Sequence, residues 1–275
     1  MTTLSDQAVP ADHVNSANQA TANHVTPAQA RARLLTMHHG AKVGHIGGNL
    51  SAIDAMLHLH TRVMGPDDVF ILSKGHSAGA LYIALWAAGM IDDAELATFH
   101  KDDTRLGGHP VAHWHPGIRF ATGSLGHGLG LAAGVALGKR LQGAPGTVYC
   151  LLSDGECEEG AIWEAALFAV HQSLGNLVVL VDANGLQGFG STAAVASLEP
   201  LADKFAGFGL DTVEIDGHSA AALDGALGGR GGTTRVIVLR TVKGNGVSFM
   251  EGRMEWHYLA LSDAQYAQAL AEIGA

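Results

Sequence analysis

The chain is poor in charged and in aromatic side chains: 15% of its 275 residues are Asp, Glu, Lys or Arg, and 6% are aromatic. Cysteine is scarcer, with Cys150 and Cys157 alone. Two thiols cannot build a disulfide framework, so a reducing, cytoplasmic setting is expected. No apolar stretch of about eighteen residues runs without a breaker, so no transmembrane span is expected. The start, MTTLSDQAVPADHVN, lacks a basic region followed by an apolar one, so no secretory signal is expected. Basic charge is short too: 16 Lys and Arg stand against 26 Asp and Glu, a formal net charge of -10, which argues against a nucleic-acid surface. What is present is apolar, 47% of the chain, enough for a substantial core at this length. The low charge leaves two readings open, a surface covered by a partner or an ordinary core with few surface charges. Histidine is abundant at 16, often beside glycine, a first pointer to a polar site.

Residues 1–26 show no apolar period and read as a flexible extension; residues 27–275 read as one domain. Thr26-Pro27 caps a helix running to Lys42. A second helix is expected over Ser51–Met64, with Ile53, Met56, Leu57 and Leu59 on its core face. Val69–Leu72 reads as a buried strand, Leu81–Gly89 and Asp92–Phe99 as helices. Arg105–Gly126, dense in Gly, Pro and His, reads as a structured loop of the kind that carries function. Leu125–Leu141 reads as a helix whose Gly126, Gly130, Gly134 and Gly138 line one face, for close packing at a subunit interface or within the chain. Thr147–Leu152, helix Gly160–Ser173 and Leu177–Val181 form a βαβ unit. Strands Thr212–Ile215 and Arg235–Leu239 flank a helix over Ala220–Leu227, and Ser262–Ile273 is a last helix. The alternation predicts an α/β fold, doubly wound, with a mainly parallel sheet flanked by helices.

Ligands in such folds bind beyond the carboxyl ends of the strands. Two strand ends carry suitable residues: Ser153-Asp154-Gly155-Glu156 and Asp182-Ala183-Asn184-Gly185-Leu186. The 28 residues between Gly155 and Asn184 suffice for one crossover helix, so the ends can be neighbours facing one crevice. Magnesium prefers oxygen ligands, commonly one or two carboxylates with phosphates and waters; calcium or manganese accepts a similar set. Asp154 offers a carboxylate, Asn184 an amide oxygen and Leu186 a backbone carbonyl. Gly155 permits a phosphate to approach backbone N–H groups near a helix start. Each dipeptide alone is also an ordinary βα turn.

Asp154-Gly155, the following helix and Asn184 resemble the cofactor motif of thiamine-diphosphate enzymes. Glu156–Glu164 (ECEEGAIWE) and Val181–Gln187 (VDANGLQ) resemble the transketolase family, in particular the N-terminal, diphosphate-binding subunit of two-chain transketolases. So do Gly44–Ile53 (GHIGGNLSAI), Ser73–His76 (SKGH), Gly108-His109-Pro110, Thr122–Gly128 (TGSLGHG), Thr241–Glu251 (TVKGNGVSFME) and Trp256-His257. The matches keep the family's order from about residue 30 onward.

The resemblance implies a thiamine-diphosphate-binding fold of the diphosphate type and a role for each matching position. Asp154, Asn184 and the Leu186 carbonyl would hold the magnesium; Gly155, His76 and His257 would contact the diphosphate; Gly123 and Leu125 would lie against the aminopyrimidine. His45, His76, His109 and His257 would line the channel for sugar hydroxyls, where imidazole can donate, accept or carry a proton. Glu159 would join a carboxylate network at the subunit interface, and Lys243 would stand near the substrate entrance. His58, His60, His100, His113, His115 and His218 match no motif and read as structural or solvent-facing, and Cys157 as a packing residue. The family's activating glutamate lies in a pyrimidine-binding domain. The implied partner is therefore a separate C-terminal, pyrimidine-binding subunit in an α2β2 assembly. The implied reaction transfers a two-carbon ketol unit from a ketose, or ketose phosphate, to an aldehyde acceptor. Three departures stand out: Ser153 where the family has Gly, His127 where it has Gln, and the bulk of His113-Trp114-His115. Two other readings remain: another thiamine-diphosphate enzyme, deoxyxylulose-phosphate-synthase-like or decarboxylating and acyloin-forming, and a non-catalytic scaffold subunit.

Overall fold

The computed structural model describes residues 25–112, 115–228 and 231–274. The expected extension over 1–26 therefore lies outside the described residues except for Val25 and Thr26, as do His113 and Trp114.

The chain runs α1 Pro27–Ala41, α2 Ile46–His58, β1 Val69–Leu72, α3 Ala78–Ala87, α4 Asp93–Leu96, α5 Gly128–Gln142, β2 Val148–Ser153, α6 Gly160–His171 and β3 Leu177–Ala183. It continues through a small hairpin, β4 Leu186–Gln187 and β5 Gly190–Ser191, then α7 Thr192–Ala196, α8 Leu201–Gly207, β6 Asp211–Asp216, α9 Ala220–Leu227, β7 Arg235–Arg240 and α10 Asp263–Glu272. Five strands form one parallel sheet in the order β1-β2-β3-β7-β6. Alternate side chains of each strand face opposite ways. Phe70, Leu72, Tyr149, Leu151, Leu180, Ile237 and Leu239 join one core with residues of α1, α2, α3, α9 and α10 on one face. Val69, Ile71, Cys150, Leu152, Val181, Val236 and Val238 meet α5, α6 and α8 on the other. Burial on both faces is why the strands read as unbroken apolar runs.

Local signals set several boundaries. Thr26 and Gln29 form a capping box at α1, and Ser262 and Gln265 form another at α10. Three expected helix starts move, one of them from Leu81 to Ala78. The second helix begins at Ile46 rather than Ser51, because Gly47 and Gly48 serve packing rather than a turn. A Cβ on Gly47 would lie 3.1 Å from Lys243 Cγ and 3.2 Å from Trp256 Cβ. The glycine-strip helix begins at Gly128, and Gly126 sits before it with φ +87°, where a Cβ would lie 2.8 Å from that of Glu159. Gly130, Gly134 and Gly138 have no neighbouring atom within 4 Å of a Cβ position, so that strip faces away from the rest of the described residues.

His38 is buried under α3, hydrogen-bonded through Nδ1 to the Leu34 carbonyl. Burial above all holds its imidazole down to about 4, against the usual 6.5. The unfolded chain thus takes up a proton near 6.5 that the folded chain refuses until about 4. The stability this represents is complete above pH 6.5 and drains as pH falls, by about 1.4 kcal/mol per unit at most. Urea unfolding between pH 7.5 and pH 5 is expected to show this loss, with a shallower slope in His38→Met.

Candidate active site

The carboxyl ends of four strands meet on one crest. Ser73-Lys74 follows β1, Asp154-Gly155 follows β2, Asn184-Gly185 follows β3 and Thr241–Lys243 follows β7. Asp154 and Asn184 come from neighbouring strands, as their spacing predicts. The Asp154 N–H donates to the Asp182 carbonyl at 3.1 Å, and Asp154 Oδ2 accepts the Gly185 N–H at 2.6 Å. Asn184 Oδ1 accepts the Leu186 N–H at 3.1 Å. Burial, then the charge of Asp182, pushes the Asp154 carboxyl up to about 6, although the N–H groups of Gly185 and Gly155 pull the other way. A carboxylate so disfavoured as a bare anion is suited to a hard cation, which restores its charged form. Gly155 keeps the approach open: a Cβ there would lie 2.7 Å from that of Gln187. The donor set thus fits a divalent cation carrying a diphosphate.

The motif histidines converge beside this pair. Ring centroids lie 5.7 Å apart for His45 and His76, 5.9 Å for His45 and His109, 5.1 Å for His45 and His257, and 5.4 Å for His76 and His257. His45 adopts φ 65° at the start of α2, and its N–H donates to the His257 carbonyl at 3.1 Å. Burial holds all four imidazoles below their usual range, with nearby cationic and imidazole groups adding to it; His257 falls to about 4. They are neutral at pH 7, and each offers one donor and one acceptor. Gly123, at φ +135°, leaves room for His109: a Cβ would lie 2.5 Å from its Cδ2. Leu125, half-buried, follows on the same loop. Lys243 is buried rather than placed at an entrance, with Nζ 3.2 Å from His257 Nδ1. Burial, then the charge of Lys74, lowers its ammonium to about 8.

The family sequence model for "Transketolase, thiamine diphosphate binding domain" matches residues 28–275. The chain belongs to the transketolase family. It is 38% identical over 241 residues to an apulose-4-phosphate transketolase subunit of Actinobacillus succinogenes, covering 84% of this chain and 87% of that protein. It is likewise 38% identical over 256 residues to a 6-deoxy-6-sulfo-D-fructose transketolase subunit of a Clostridium species, covering 88% of this chain and 93% of that protein. Among solved structures, transketolase from Leishmania mexicana superposes with a TM-score of 0.81 at 26% identity, over 90% of this chain and 41% of that one. This chain therefore spans about two-fifths of the single-chain enzyme's length. The relatives favour the transketolase reading over the other thiamine-diphosphate classes.

Beneath the transketolase motifs lies a polar network that the sequence does not announce. Asp182 and Lys74 are fully buried and paired with each other. Asp182 also accepts from Ser51 Oγ at 2.6 Å and from the Thr241 hydroxyl, and Lys74 donates to the Gly48 carbonyl at 3.2 Å. Burial raises the Asp182 carboxyl, but Lys74, Ser51 and Thr241 outweigh it and hold it below the usual range. Asn184 Nδ2 reaches Ser51 Oγ at 3.3 Å, so the network props the proposed metal ligand. Lys74 lies within a quoted motif, yet its partner is 108 residues away, and only the strand order pairs them.

A second buried carboxylate, Glu156, organises the Thr122–Gly128 loop. It accepts from Ser73 Oγ, from the Gly126 N–H at 2.9 Å and from the Ser153 N–H at 3.3 Å, while Ser73 Oγ accepts the Gly128 N–H at 3.0 Å. Ser153, unusual for the family, accepts the Glu156 N–H at 3.2 Å and so strengthens this turn. Glu159 is exposed at the start of α6. Next to it a depression of about 730 Å³ opens between α5 and α6, lined by Thr122, Ser124, His127, Gly130, Ala161 and Glu164 among others.

Four described histidines outside the motifs have structural partners. His58 pairs with Asp224 at 3.0 Å, His60 with the Met56 carbonyl at 2.9 Å and His115 with the Met90 carbonyl at 3.0 Å, while His100 backs Gly108. His218 is not solvent-facing: it sits 2.7 Å from Asp54.

Removing one member of a buried ion pair strands the other. Lys74→Met is expected to lower the unfolding free energy by about 3–5 kcal/mol in urea titrations. The double variant Lys74→Met, Asp182→Leu is expected to recover much of that loss.

Proposed function

We propose that this chain is the diphosphate-binding subunit of a two-chain transketolase. With a pyrimidine-binding partner subunit, in an α2β2 assembly, it transfers a two-carbon ketol unit from a ketose or ketose phosphate to an aldehyde. The observation that carries this reading is the Asp154–Asn184 pair on neighbouring strands beside four converging neutral histidines. The 87% coverage of a relative that is itself named as one subunit of a transketolase supports the two-chain form.

Thiamine diphosphate supplies, when bound, the nucleophilic carbon needed to cleave and remake a carbon–carbon bond next to a carbonyl. Asp154, Asn184 and the Leu186 carbonyl would hold magnesium, or calcium or manganese. Gly155, His76 and His257 would contact the diphosphate, and Gly123 and Leu125 would lie against the aminopyrimidine. His45, His76, His109 and His257 orient sugar hydroxyls and move protons at their ring nitrogens, which neutrality leaves free both to give and to take. Lys243 holds a proton at Nζ near His257 Nδ1, and burial lowers its ammonium to about 8, so it stays largely charged at neutral pH.

The partner is assigned to the α5–α6 face. The open strip of Gly130, Gly134 and Gly138 admits another backbone closely, exposed Leu141 and Leu167 offer apolar contact, and Glu159 stands ready to meet a partner carboxyl. Among the described residues no helix is long and apolar enough to cross a membrane, and both thiols are free and buried, as suits a reducing cytoplasm.

The test pairs this chain with its co-purifying partner. Ketol transfer from a ketose phosphate to an aldehyde is expected, dependent on thiamine diphosphate and magnesium. Asp154→Ala with Asn184→Ala is expected to weaken cofactor binding by about a hundredfold in a magnesium-dependent titration. Unchanged affinity in that double variant, or carbon dioxide release from a 2-oxo acid in place of ketol transfer, would refute the reading.

A further inference from the structure

His218 takes no part in the site as described, yet hydrogen bonds engage both of its ring nitrogens. It lies in the turn between β6 and α9, 18% exposed. Nδ1 is 2.7 Å from Asp54 Oδ2, and that same oxygen receives the Arg31 guanidinium at 2.5 Å. A carboxylate bonded to arginine is an acceptor, so Nδ1 carries the ring proton. The side-chain amide of Asn245 lies 3.1 Å from the same nitrogen, and a half-turn of the amide presents its oxygen there. Nε2 accepts the Val242 N–H at 2.9 Å and so carries no proton. Asp54 thereby fixes one neutral tautomer and leaves a lone pair aimed at the backbone of Val242.

Val242 is the middle of the turn that serves the site. Thr241, before it, donates to Asp182, and Lys243, after it, reaches His257. The Val242 side chain is 41% exposed, so packing contributes little to fixing this residue. We propose that His218 is a positioning residue of the active site: its Nε2, presented by Asp54, holds Val242 so that Thr241 stays on Asp182 and Lys243 on His257. This rests on the function proposed above only in taking Lys243 and His257 as working groups.

The ring state can be read directly by ¹⁵N NMR of the full chain, where Nδ1 is expected protonated and Nε2 bare. Two variants separate the acceptor from the shape. His218→Phe keeps a ring without nitrogen, and His218→Gln keeps an oxygen able to accept near the Nε2 position. In His218→Phe the titration of Lys243, followed at its ε-carbon in the free chain, is expected to move up from about 8 by a unit or more as the turn relaxes. With the partner added, kcat is expected to fall about tenfold while the donor KM changes by less than about threefold. His218→Gln is expected to restore most of both. A proton on Nε2, or a Lys243 titration left in place in folded His218→Phe, overturns the proposal. So does equal loss of activity in both variants with Lys243 unmoved, which marks general destabilisation. If His218→Phe does not fold, the tautomer and the Gln variant decide. Absence of ketol transfer in the unmodified pair would sink the functional reading alone, because the tautomer and the Lys243 titration need no turnover.

Discussion

The architecture of the crest depends on one carboxylate kept ionised without water. Asp182 is fully buried, and its charge survives because Lys74 meets it and the hydroxyls of Ser51 and Thr241 fill its remaining acceptor positions. The four groups come from β3, from the turn after β1, from α2 and from the turn after β7. Three of them stand just ahead of a site residue in the chain: Lys74 before His76, Asp182 before Asn184, and Thr241 before Lys243. Ser51 belongs to the helix that opens at His45. A buried pair adds little net stability against an apolar alternative. Here its contribution is registry, because four segments distant in sequence are tied at one point and their functional neighbours inherit fixed spacings.

That architecture explains which parts of the chain were legible as sequence. Strands buried on both faces announce themselves as short apolar runs, and Val69–Leu72, Val148–Ser153 and Leu177–Ala183 fall where such runs place them. The Asp154 and Asn184 turns were legible because a parallel sheet puts consecutive strand ends on the same edge. Helix starts were less so where glycine served packing, since Gly47 carries the same letter as a turn glycine. The Lys74–Asp182 and Asp54–His218 pairs were invisible for a different reason. Each joins residues more than a hundred positions apart, and a pairing that exists only through the strand order leaves no local trace.

The electrostatics of the two halves of the site are opposite in design. Around the strand ends, burial raises the Asp154 carboxyl and asks for a cation. In the histidine cluster, burial lowers every imidazole, and the neighbouring Lys243 and Lys74 lower His257 and His76 further. The cluster is thus a set of uncharged donors and acceptors next to a strongly ionic floor. Such a surface suits polyhydroxylated molecules, whose hydroxyl groups need partners of both kinds.

Relatives named as one subunit of a transketolase imply a partner chain, and the arrangement leaves an exposed face beside the site. Three described carboxylates at the crest are already engaged: Asp182 by Lys74, Asp154 by two backbone N–H groups, and Glu156 by Ser73 and Gly126. None of them faces the histidines as a free proton acceptor. Glu159 is exposed, but it lies on the α5–α6 side, beside the open glycine strip and the depression between those helices. The described geometry thus sets filled carboxylates and uncharged imidazoles on the crest, with an open glycine strip on the α5–α6 side.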